Sequence, residues 1–365
     1  MRLGPGFFRA DSRPSRDLGV LIARQLAMAG PLRVLDAMTG CGIRSLRYGL
    51  EAGAERVWAN DADPDRRALI HDNLIPLGDR AHCSSLTAQQ LLVGCLQREQ
   101  RFELVDLDAF GCPTALLPLA IAAVSFDGVL YAACSDGRTP TGHERRQAIR
   151  TLGASARAHP AGWELALRLL LGAQARAAWA MGRGLEPLLA FSDGRTFRTA
   201  VRITRRPAAG AEEQLGLLAH CHGCGEQQVQ SLLRLGRWSS CCPTSPDASP
   251  LSVSGPLWIG GLQEPSWLEA IDSDPQKALL AHPTTLGLLA RLQADPAHVA
   301  RCWPMAEIGR RLGGGGTPRL RSLASRLRQQ GWGAWSSGVM PGCLRTDAPW
   351  PVLLALSARV RPDRD

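Results

Sequence analysis

The alternation of strand-like and helix-like segments limits the possible folds of this chain more than any other feature. From Leu18 to about Ile203, apolar runs typical of buried strands alternate with segments that have the period of about 3.6 residues of amphipathic helices. This alternation predicts a doubly wound α/β domain, in which helices cover both faces of a mostly parallel sheet. We expect strands at Arg33 to Asp36, Arg56 to Asn60, Phe102 to Leu107 and Gly128 to Cys134, a closing hairpin of Leu188 to Phe191 and Thr196 to Ile203, and helices at Ile43 to Ala52 and Pro64 to Leu74.

The length of the chain allows more than one packed core. It has 365 residues, and a single domain usually holds about 100 to 200. The polar connector Arg205 to Glu213 marks the expected boundary between an α/β domain over residues 1–210 and a smaller α+β domain over residues 211–365. In the second domain, a cysteine-rich segment covers residues 220–242 and a helix-turn-helix-like tail covers residues 303–350.

The charge balance favours a polyanionic partner. The formal net charge is +9 at pH 7, and it comes almost wholly from arginine, since Lys277 is the only lysine. The planar guanidinium of arginine suits phosphate oxygens and stacks on bases. A genome biased towards arginine, with solvated arginines on an ordinary amphipathic face, is the alternative explanation. In the tail, the charge is carried by Arg310, Arg311, Arg319, Arg321, Arg326 and Arg328.

No segment has the length and hydrophobicity that export or membrane insertion requires. Residues 1–10 contain no apolar run typical of a secretory signal, and no later stretch reaches about 18 uninterrupted apolar residues. We therefore expect a soluble, cytoplasmic protein that makes no membrane contact. In that compartment its eleven cysteines are expected to stay reduced, and no obligate protein partner is indicated.

A glycine-containing turn after the first expected strand indicates a small-molecule pocket. The strand ends at Asp36, and Gly40 and Gly42 follow before the next helix. Glycines at such a turn let main-chain N–H groups approach a ligand where a Cβ would clash. Their spacing is not G-x-G-x-x-G, which favours a pocket for an adenosyl amino acid over a pyrophosphate cradle. A nicotinamide oxidoreductase remains a distant alternative.

The second expected strand also ends in an acid, Asp61, about twenty residues after the glycines. A carboxylate at this spacing accepts hydrogen bonds from both ribose hydroxyls of an adenosine. The alternative role, a helix N-cap before Pro64, fits Asp63 better than Asp61.

The third expected strand leads into a carboxylate and an aromatic ring, Asp108 and Phe110. An exocyclic purine amine is a poor nucleophile, so a site that alkylates it must accept its N–H bonds while a ring holds the base flat. Asp108 provides the acceptor and Phe110 the stacking surface. The arrangement resembles the D/N-P-P-Y/F motif of amino methyltransferases, although Ala109 replaces the first proline.

Further motifs resemble the tRNA guanine-26 N2-dimethyltransferase family along nearly the whole chain. The family's N-terminal F-Y-N-P segment and the N-R-D that follows resemble Phe7 to Ala10 and Ser15 to Asp17. Its D-A-x-x-A-T-G-I-R, N-D and D-L-D-P-F-G-S-P motifs resemble Asp36 to Arg44, Asn60-Asp61 and Asp106 to Pro113. The later matches are Trp163 to Leu165 with Arg168, Gly255 to Gly260, and Arg345 to Pro349.

The resemblance implies a class I (Rossmann-like) S-adenosylmethionine-dependent methyltransferase domain that modifies N2 of guanine 26 in tRNA. It implies that Arg16 and Arg44 contact the cofactor, and that Phe7 and Phe110 hold the flipped guanine. Thr87 and Ala88 match a cofactor-binding D-A pair, with threonine in place of the acid. The full set of expected cofactor contacts is Arg16, Asp36, Gly40, Gly42, Arg44, Asp61, Thr87 and Ala88. Methylation of another RNA such as ribosomal RNA, and tRNA binding with little catalysis, are the alternatives.

The cysteine-rich segment contains half of a zinc signature. Cys221 and Cys224 form one C-x-x-C knuckle, and Cys241 and Cys242 follow as an adjacent pair. Two knuckles would supply four thiolates in a tetrahedron. Because the second pair is adjacent, a set with only one of its cysteines and a histidine is an alternative. Structural zinc is one hypothesis, and a degenerate remnant held by packing is the other.

Overall fold

The computed structural model describes residues 2–4, 8–239, 251–295, 297–312 and 316–359. The chain forms two compact units, each assembled from three segments. The first unit consists of 1–136, 174–208 and 264–290, and the second of 137–173, 209–263 and 291–365. The chain passes from one unit to the other several times. One of these points, after Ala208, lies within the polar connector Arg205 to Glu213, whereas the others coincide with no change of composition.

Thirteen strands are present in the described residues, and they form three sheets. They are β1 (Arg33–Asp36), β2 (Arg56–Asn60), β3 (Ala81–Ser84), β4 (Phe102–Leu107), β5 (Val124–Cys134), β6 (Gly184–Ser192), β7 (Phe197–Thr204), β8 (Leu215–His220), β9 (Gln227–Ser231), β10 (Ser252–Trp258), β11 (Cys302–Pro304), β12 (Ala334–Ser336) and β13 (Cys343–Thr346).

The α-helices of the described residues also number thirteen. They are α1 (Arg13–Ala29), α2 (Ile43–Leu50), α3 (Arg67–Leu74), α4 (Ala88–Gln97), α5 (Leu117–Ala123), α6 (Arg145–Leu152), α7 (Gly162–Ala180), α8 (Pro265–Asp272), α9 (Lys277–Leu280), α10 (Pro283–Gln293), α11 (Met305–Gly309), α12 (Leu320–Gln329) and α13 (Trp350–Arg359). None of them is long and apolar enough to cross a membrane.

A seven-stranded sheet with the order β3-β2-β1-β4-β5-β7-β6 forms the centre of the first unit. Strands β1 to β5 pair in parallel, and β7 pairs antiparallel with both β5 and β6. Side chains of β1 and β4 such as Val34, Leu35, Leu104 and Val105 are fully buried, as expected for parallel strands covered on both faces. The predicted α/β architecture is therefore present.

Three strand predictions differ from the structure by more than one residue in the first unit. Strand β3 was not predicted, because Ala81–Ser84 is short, half exposed and has no apolar run. Strands β5 and β6 each begin four residues before the predicted start, at Val124 and Gly184, where polar residues or a proline interrupt the apolar pattern. In these places, pairing with a neighbouring strand determines the conformation.

The segment 264–290 completes the first unit by packing against α1. The buried carboxylate of Asp17 accepts hydrogen bonds from the main-chain N–H of His282 (2.9 Å) and the hydroxyl of Thr285 (2.8 Å). Arg24 forms an ion pair with the carboxylate of Asp274. The α/β domain therefore needs residues from well beyond the predicted boundary.

The second unit contains two antiparallel three-stranded sheets, ordered β10-β8-β9 and β11-β13-β12. Helices α11 and α12 share a hydrophobic core with the second of these sheets and with α13, built around Trp303, Ile308, Leu327 and Leu353. This helix and strand content matches the predicted tail, with α13 as an additional element. The tail arginines differ in their contacts, because Arg310 and Arg311 form ion pairs with Glu307.

A buried network of two arginines and two carboxylates ties together distant segments of the second unit. Arg345 on β13 contacts Glu164 on α7 at 2.8 Å and Asp295 at 2.8 Å. Arg168 contacts the same Glu164 at 2.9 Å and donates to the carbonyls of Trp258 and Gly260. The four side chains are almost completely buried, so their charges must compensate one another.

Candidate active site

A cavity lies where the loops after β1, β2 and β4 meet the start of β7, within the first unit. Ligands of open α/β sheets bind at this edge, beyond the carboxyl ends of the strands. The cavity is lined by Phe8, Arg9, Ser12, Ser15, Arg16, Met38, Thr39, Gly40, Cys41, Ile43, Arg44, Asp61, Arg66, Asp108, Ala109, Phe110, Ser135, Asp193, Thr196 and Arg198. Six of the predicted site residues are thus brought together here: Arg16, Gly40, Arg44, Asp61, Asp108 and Phe110.

The glycine turn after β1 leaves its main chain open to the cavity. Gly40 and Gly42 have φ angles of 61° and 84°, in the left-handed region that favours glycine. A Cβ added to Gly40 would meet no protein atom within 4 Å, whereas one added to Gly42 would contact Ile70 and Leu74. Gly40 therefore borders ligand space, and Gly42 serves the backbone of the turn. This open main chain fits the adenosyl pocket predicted from the sequence.

Asp61 lies beside this turn, at the end of β2. Its Oδ2 accepts a hydrogen bond from the Gly40 N–H at 3.0 Å, and its Oδ1 accepts one from the Asp63 N–H at 3.0 Å. The side chain is 13% exposed and lines the cavity. The N-cap role falls on Asp63, whose side chain accepts from the Asp65 N–H. Asp61 also lies 3.7 Å from Nη1 of Arg66, and its contact with ribose hydroxyls remains a prediction.

Asp36 lies beneath the cavity and does not line it. Its Oδ2 accepts hydrogen bonds from the hydroxyls of Thr39 (2.7 Å) and Ser45 (2.8 Å), and its Oδ1 is buried without a partner. Burial and the nearby Asp106 carboxylate raise the pKa of Asp36 to about 7. The side chain supports the glycine turn from below, and a direct cofactor contact remains a prediction.

Replacing Asp36 by asparagine should raise the melting temperature at pH 8 relative to the wild type. The folded pKa near 7 lies above the ordinary value of 3.8. Between these two pKa values only the folded state holds the proton, so the wild type loses stability as the pH rises from about 4 to about 7, and the loss is complete at pH 8. We expect a gain of a few degrees at pH 8, since about 1 kcal/mol shifts the melting temperature by roughly 2–4 °C in a domain of this size.

Thermal melts at pH 5.5 and pH 8 test this expectation, with the exposed Asp72→Asn as the matched control. The gain of the Asp36 variant over the wild type should shrink at pH 5.5, because the wild-type carboxyl is then protonated. An equal difference at both pH values would contradict the raised pKa.

Two predicted arginines contact the N-terminal segment at the cavity. Arg16 donates to the carbonyls of Arg9 (2.9 Å) and Ala10 (3.0 Å), and its guanidinium lies 4.8 Å from the centre of the Phe8 ring. Burial, together with Arg44 and Arg47, lowers the pKa of Arg16 to about 10, so it remains charged at neutral pH. Arg44 is buried and donates to the Ser15 hydroxyl at 3.0 Å.

Asp108 forms ion pairs with two guanidinium groups. Its Oδ1 lies 2.7 Å from Nη2 of Arg198, and its Oδ2 lies 3.2 Å from Nη2 of Arg44. Burial favours the protonated form, but the charges of Arg198 and Arg44 outweigh this and hold the pKa of Asp108 below its ordinary value. About 35% of the side chain is exposed. The site therefore presents an ionised acceptor to the cavity.

Phe110 projects from the loop after β4 and is 78% exposed at the edge of the cavity. The loop is fixed by two hydrogen bonds: the Gly111 N–H donates to the Ser135 hydroxyl (2.8 Å), and the Ser135 N–H donates to the Gly111 carbonyl (2.9 Å). The ring therefore offers an apolar surface at the cavity.

Several predicted site residues lie elsewhere. Gly42, Thr87 and Ala88 do not line the cavity. Thr87 is the N-cap of α4 and forms a capping box with Gln90, in which its hydroxyl accepts from the Gln90 N–H at 3.2 Å. Their cofactor roles, like that of Asp36, remain predictions. Phe7 lies outside the described residues.

Arg198 was not predicted as a site residue, although it approaches Asp108 more closely than Arg44 does. It lies on β7 opposite Ala133 of β5. The available signal was the presence of two arginines, Arg198 and Arg202, in an expected strand, because a buried charge requires a partner.

The cysteine-rich segment shows no metal centre in the part of the chain that the structure describes. Cys221 follows β8, and Cys224 lies in the turn before β9. No group of three His, Cys, Asp or Glu side chains within the described ranges is arranged to hold a metal ion. Cys241 and Cys242 lie outside those ranges.

Known proteins resemble this chain over almost its full length. The family of N2,N2-dimethylguanosine tRNA methyltransferases matches residues 3–357. The tRNA (guanine(26)-N(2))-dimethyltransferase of Thermococcus kodakarensis is 30% identical over 383 residues, covering 98% of this chain and 94% of that protein. The Homo sapiens protein of the same name is 28% identical over 342 residues, covering 87% of this chain and 51% of that protein.

A solved structure gives the same result at the level of the fold. Trm1 from Pyrococcus horikoshii, in complex with S-adenosyl-L-methionine, matches with a TM-score of 0.81 and 25% identity, covering 96% of this chain and 94% of that one. This similarity confirms the predicted methyltransferase fold class. The sequence motifs, the cavity and these similarities together show that the chain belongs to the N2,N2-dimethylguanosine tRNA methyltransferase family.

Proposed function

We propose that this protein transfers one or two methyl groups from S-adenosylmethionine to N2 of guanine 26 in tRNA. The observation that carries the proposal is the ionised Asp108 beside the exposed ring of Phe110, at the cavity bordered by Gly40 and Asp61. This pairing suits an exocyclic amine on a planar base. Membership of the family and the names of its relatives supply the substrate and the position.

The residues around the glycine turn suit the methyl donor. Gly40 offers an open main chain, Asp61 offers acceptors for ribose hydroxyls, and Arg16 and Arg44 line the same cavity. When bound, S-adenosylmethionine supplies an electrophilic methyl group. We expect Asp61 to hold the adenosine end, because it both lines the cavity and accepts a hydrogen bond from the Gly40 N–H.

Asp108 and Phe110 act on the base. Guanine must leave the base stack of the RNA to enter the cavity, and Phe110 gives it an apolar surface on which to stack. Asp108 accepts a hydrogen bond from an N–H of the N2 amine and thereby orients the lone pair of the amine nitrogen. Because the amine gains positive charge during transfer, a fixed carboxylate stabilises the transition state more than the ground state.

Asp61→Ala should weaken binding of S-adenosylmethionine by about tenfold to a hundredfold. A hydrogen bond to a charged acceptor is worth about 1.5–3 kcal/mol, and each 1.4 kcal/mol corresponds to a factor of ten. Isothermal titration calorimetry measures the effect without any turnover. The neighbouring Asp63→Ala is the matched control and should leave the dissociation constant within about threefold. Equal affinities of the Asp61 variant and the wild type would contradict the assigned contact.

Mass spectrometry of nucleosides tests the proposed activity. The purified protein is incubated with S-adenosylmethionine and a tRNA transcript that carries guanine at position 26, and the digested RNA is analysed for N2-methylguanosine and N2,N2-dimethylguanosine. A transcript with adenine at position 26 should gain neither nucleoside. Modification of ribosomal RNA but not of the transcript would overturn the choice of substrate.

We further propose that the second unit contributes tRNA binding through its tail. Arg319 and Arg321 are exposed at the start of α12, whereas Arg310 and Arg311 already form ion pairs with Glu307. The first pair is therefore better placed to contact phosphates than the second. Structural zinc is not part of the proposal, since two of its four predicted ligands, Cys241 and Cys242, lie outside the described residues.

A further inference from the structure

We propose that Arg198 is a positioning residue for methyl transfer, which fixes the Asp108 carboxylate in the orientation that receives the guanine amine. The inference rests on the proposed function, because it assigns Arg198 to the same site. Arg198 contacts neither the cofactor nor the base in this proposal; it acts through Asp108.

The position of Arg198 in the sheet gives it a rigid base. It lies near the start of β7, in register with Ala133 of the neighbouring β5, and its side chain is 2% exposed. Its guanidinium lies 4.9 Å from the centre of the buried Tyr131 ring. A guanidinium packed in this way loses little further freedom when it binds a carboxylate.

The planar fork of Arg198 connects Asp106, near the end of β4, with Asp108 in the loop that follows. Nη2 contacts Asp108 at 2.7 Å, and Nη1 contacts the buried Asp106 at 3.4 Å. Asp106 is held in turn by the hydroxyl of Tyr48 at 2.6 Å. Through Arg198, the partly exposed Asp108 is thus linked to the buried Asp106, which Tyr48 holds in place.

Arg44 completes the arrangement from the opposite side. It contacts the other oxygen of Asp108 at 3.2 Å and lies 3.6 Å from Asp106. With one guanidinium on each oxygen, the Asp108 carboxylate cannot rotate without breaking an ion pair. Two positive and two negative charges balance, as a buried cluster requires.

The sequence of the loop after β4 explains why side-chain contacts are needed to fix Asp108. In the D/N-P-P-Y/F motif a proline follows the acidic residue and restricts the backbone. Ala109 occupies that position here, so the backbone after Asp108 has more conformational freedom. Side-chain contacts from Arg198 and Arg44 provide the restriction instead. The same contacts lower the pKa of Asp108 and keep it ionised.

Arg198→Gln and Arg198→Lys, with Arg202→Gln as the matched control, test the inference. Arg202 lies on the same strand and pairs with Glu186, away from the cavity. We expect Arg198→Gln to lower kcat about a hundredfold, an effect typical of a misplaced reacting group, with KM for tRNA within about threefold. Lysine should restore part of the rate, because it keeps the charge but not the fork.

The pH profile separates positioning from a merely structural role. Loss of the Arg198 charge should move the acidic limb of the single-turnover rate to higher pH by about one unit, since one unit corresponds to about 1.4 kcal/mol of interaction. The control should leave the limb in place. If the acidic limb of the rate profile of Arg198→Gln lies at the wild-type pH, or if its rate is as high as that of Arg202→Gln, the inference is wrong.

Two measurements without turnover keep the test independent of activity. Calorimetric affinity for S-adenosylmethionine should stay within about threefold in a folded Arg198 variant. A double-mutant cycle of Arg198→Gln and Asp108→Asn in urea unfolding should show non-additivity, as expected for contacting residues; additive effects would contradict the contact. An inactive wild type would refute the proposed function, while the cycle would still report on the Arg198–Asp108 pair.

Discussion

Replacing Asp108 by asparagine should reduce methyl transfer about a thousandfold while tRNA binding stays within about threefold of the wild type. The amide keeps the shape of the side chain but loses the charge that stabilises the developing ammonium, and removal of one such electrostatic group typically costs a factor of about 100–1000 in kcat. Single-turnover transfer of a radiolabelled methyl group measures the rate. A filter-binding titration measures the affinity for tRNA.

The Asp108 experiment needs a control that changes the same kind of group in the same stretch of chain but away from the cavity. Glu103→Gln meets this requirement, because Glu103 lies near the other end of β4 and pairs with Arg33. It should retain the wild-type rate. Asp108→Ala should be as inactive as the asparagine variant, but less stable, since it leaves the two buried guanidinium groups of Arg198 and Arg44 to share Asp106. A wild-type rate in either Asp108 variant would refute the mechanism.

The largest loss of stability is expected from Arg345→Met, at about 3–5 kcal/mol. Removing one partner of a buried ion cluster leaves an uncompensated charge, and this cost exceeds the value of the pair itself. Without Arg345, Glu164 keeps only Arg168 as an ionic partner within the network, and the Asp295 carboxylate loses its two hydrogen bonds from the guanidinium. Urea unfolding followed by fluorescence measures the change.

A matched arginine and a compensating double variant make the Arg345 test specific. Arg326→Met removes an arginine of α12 that donates only to the carbonyl of Arg359 among its described contacts, and it should cost less than about 1 kcal/mol. Asp295→Asn combined with Arg345→Met should recover part of the loss, because it removes the carboxylate that Arg345→Met leaves without an ionic partner in the network. A loss under 1 kcal/mol for Arg345→Met would show that the network contributes little.

The parts of the fold that follow an apolar pattern could be predicted from the sequence. Strands β1, β2 and β4 have the predicted bounds, because each is buried on both faces and ends at a polar residue or a loop. Asp108 and Phe110 could also be placed at the carboxyl edge, because strand ends of a parallel sheet meet there. Strand β3 could not be predicted, since only its neighbour β2 makes it a strand.

Contacts between distant segments could not be predicted from local patterns. Arg198 reaches Asp108 only because β7 returns antiparallel beside β5, and no spacing in the sequence encodes that return. The same holds for Arg345, whose partners Glu164 and Asp295 lie on other segments. Thr87 is a different case: Thr87 and Gln90 have the capping-box spacing, which identifies a helix start without any reference to a cofactor.

The segmented construction of the first unit has a consequence for biosynthesis. Asp17 near the start of the chain finds its partners His282 and Thr285 only after about three quarters of the protein has been made. Until then, the Asp17 carboxylate in the N-terminal region lacks the two hydrogen bonds that it accepts from this segment in the folded protein. Segment 264–290 can therefore pack against α1 only late in translation, and a shortened product ending near residue 210 would lack these contacts.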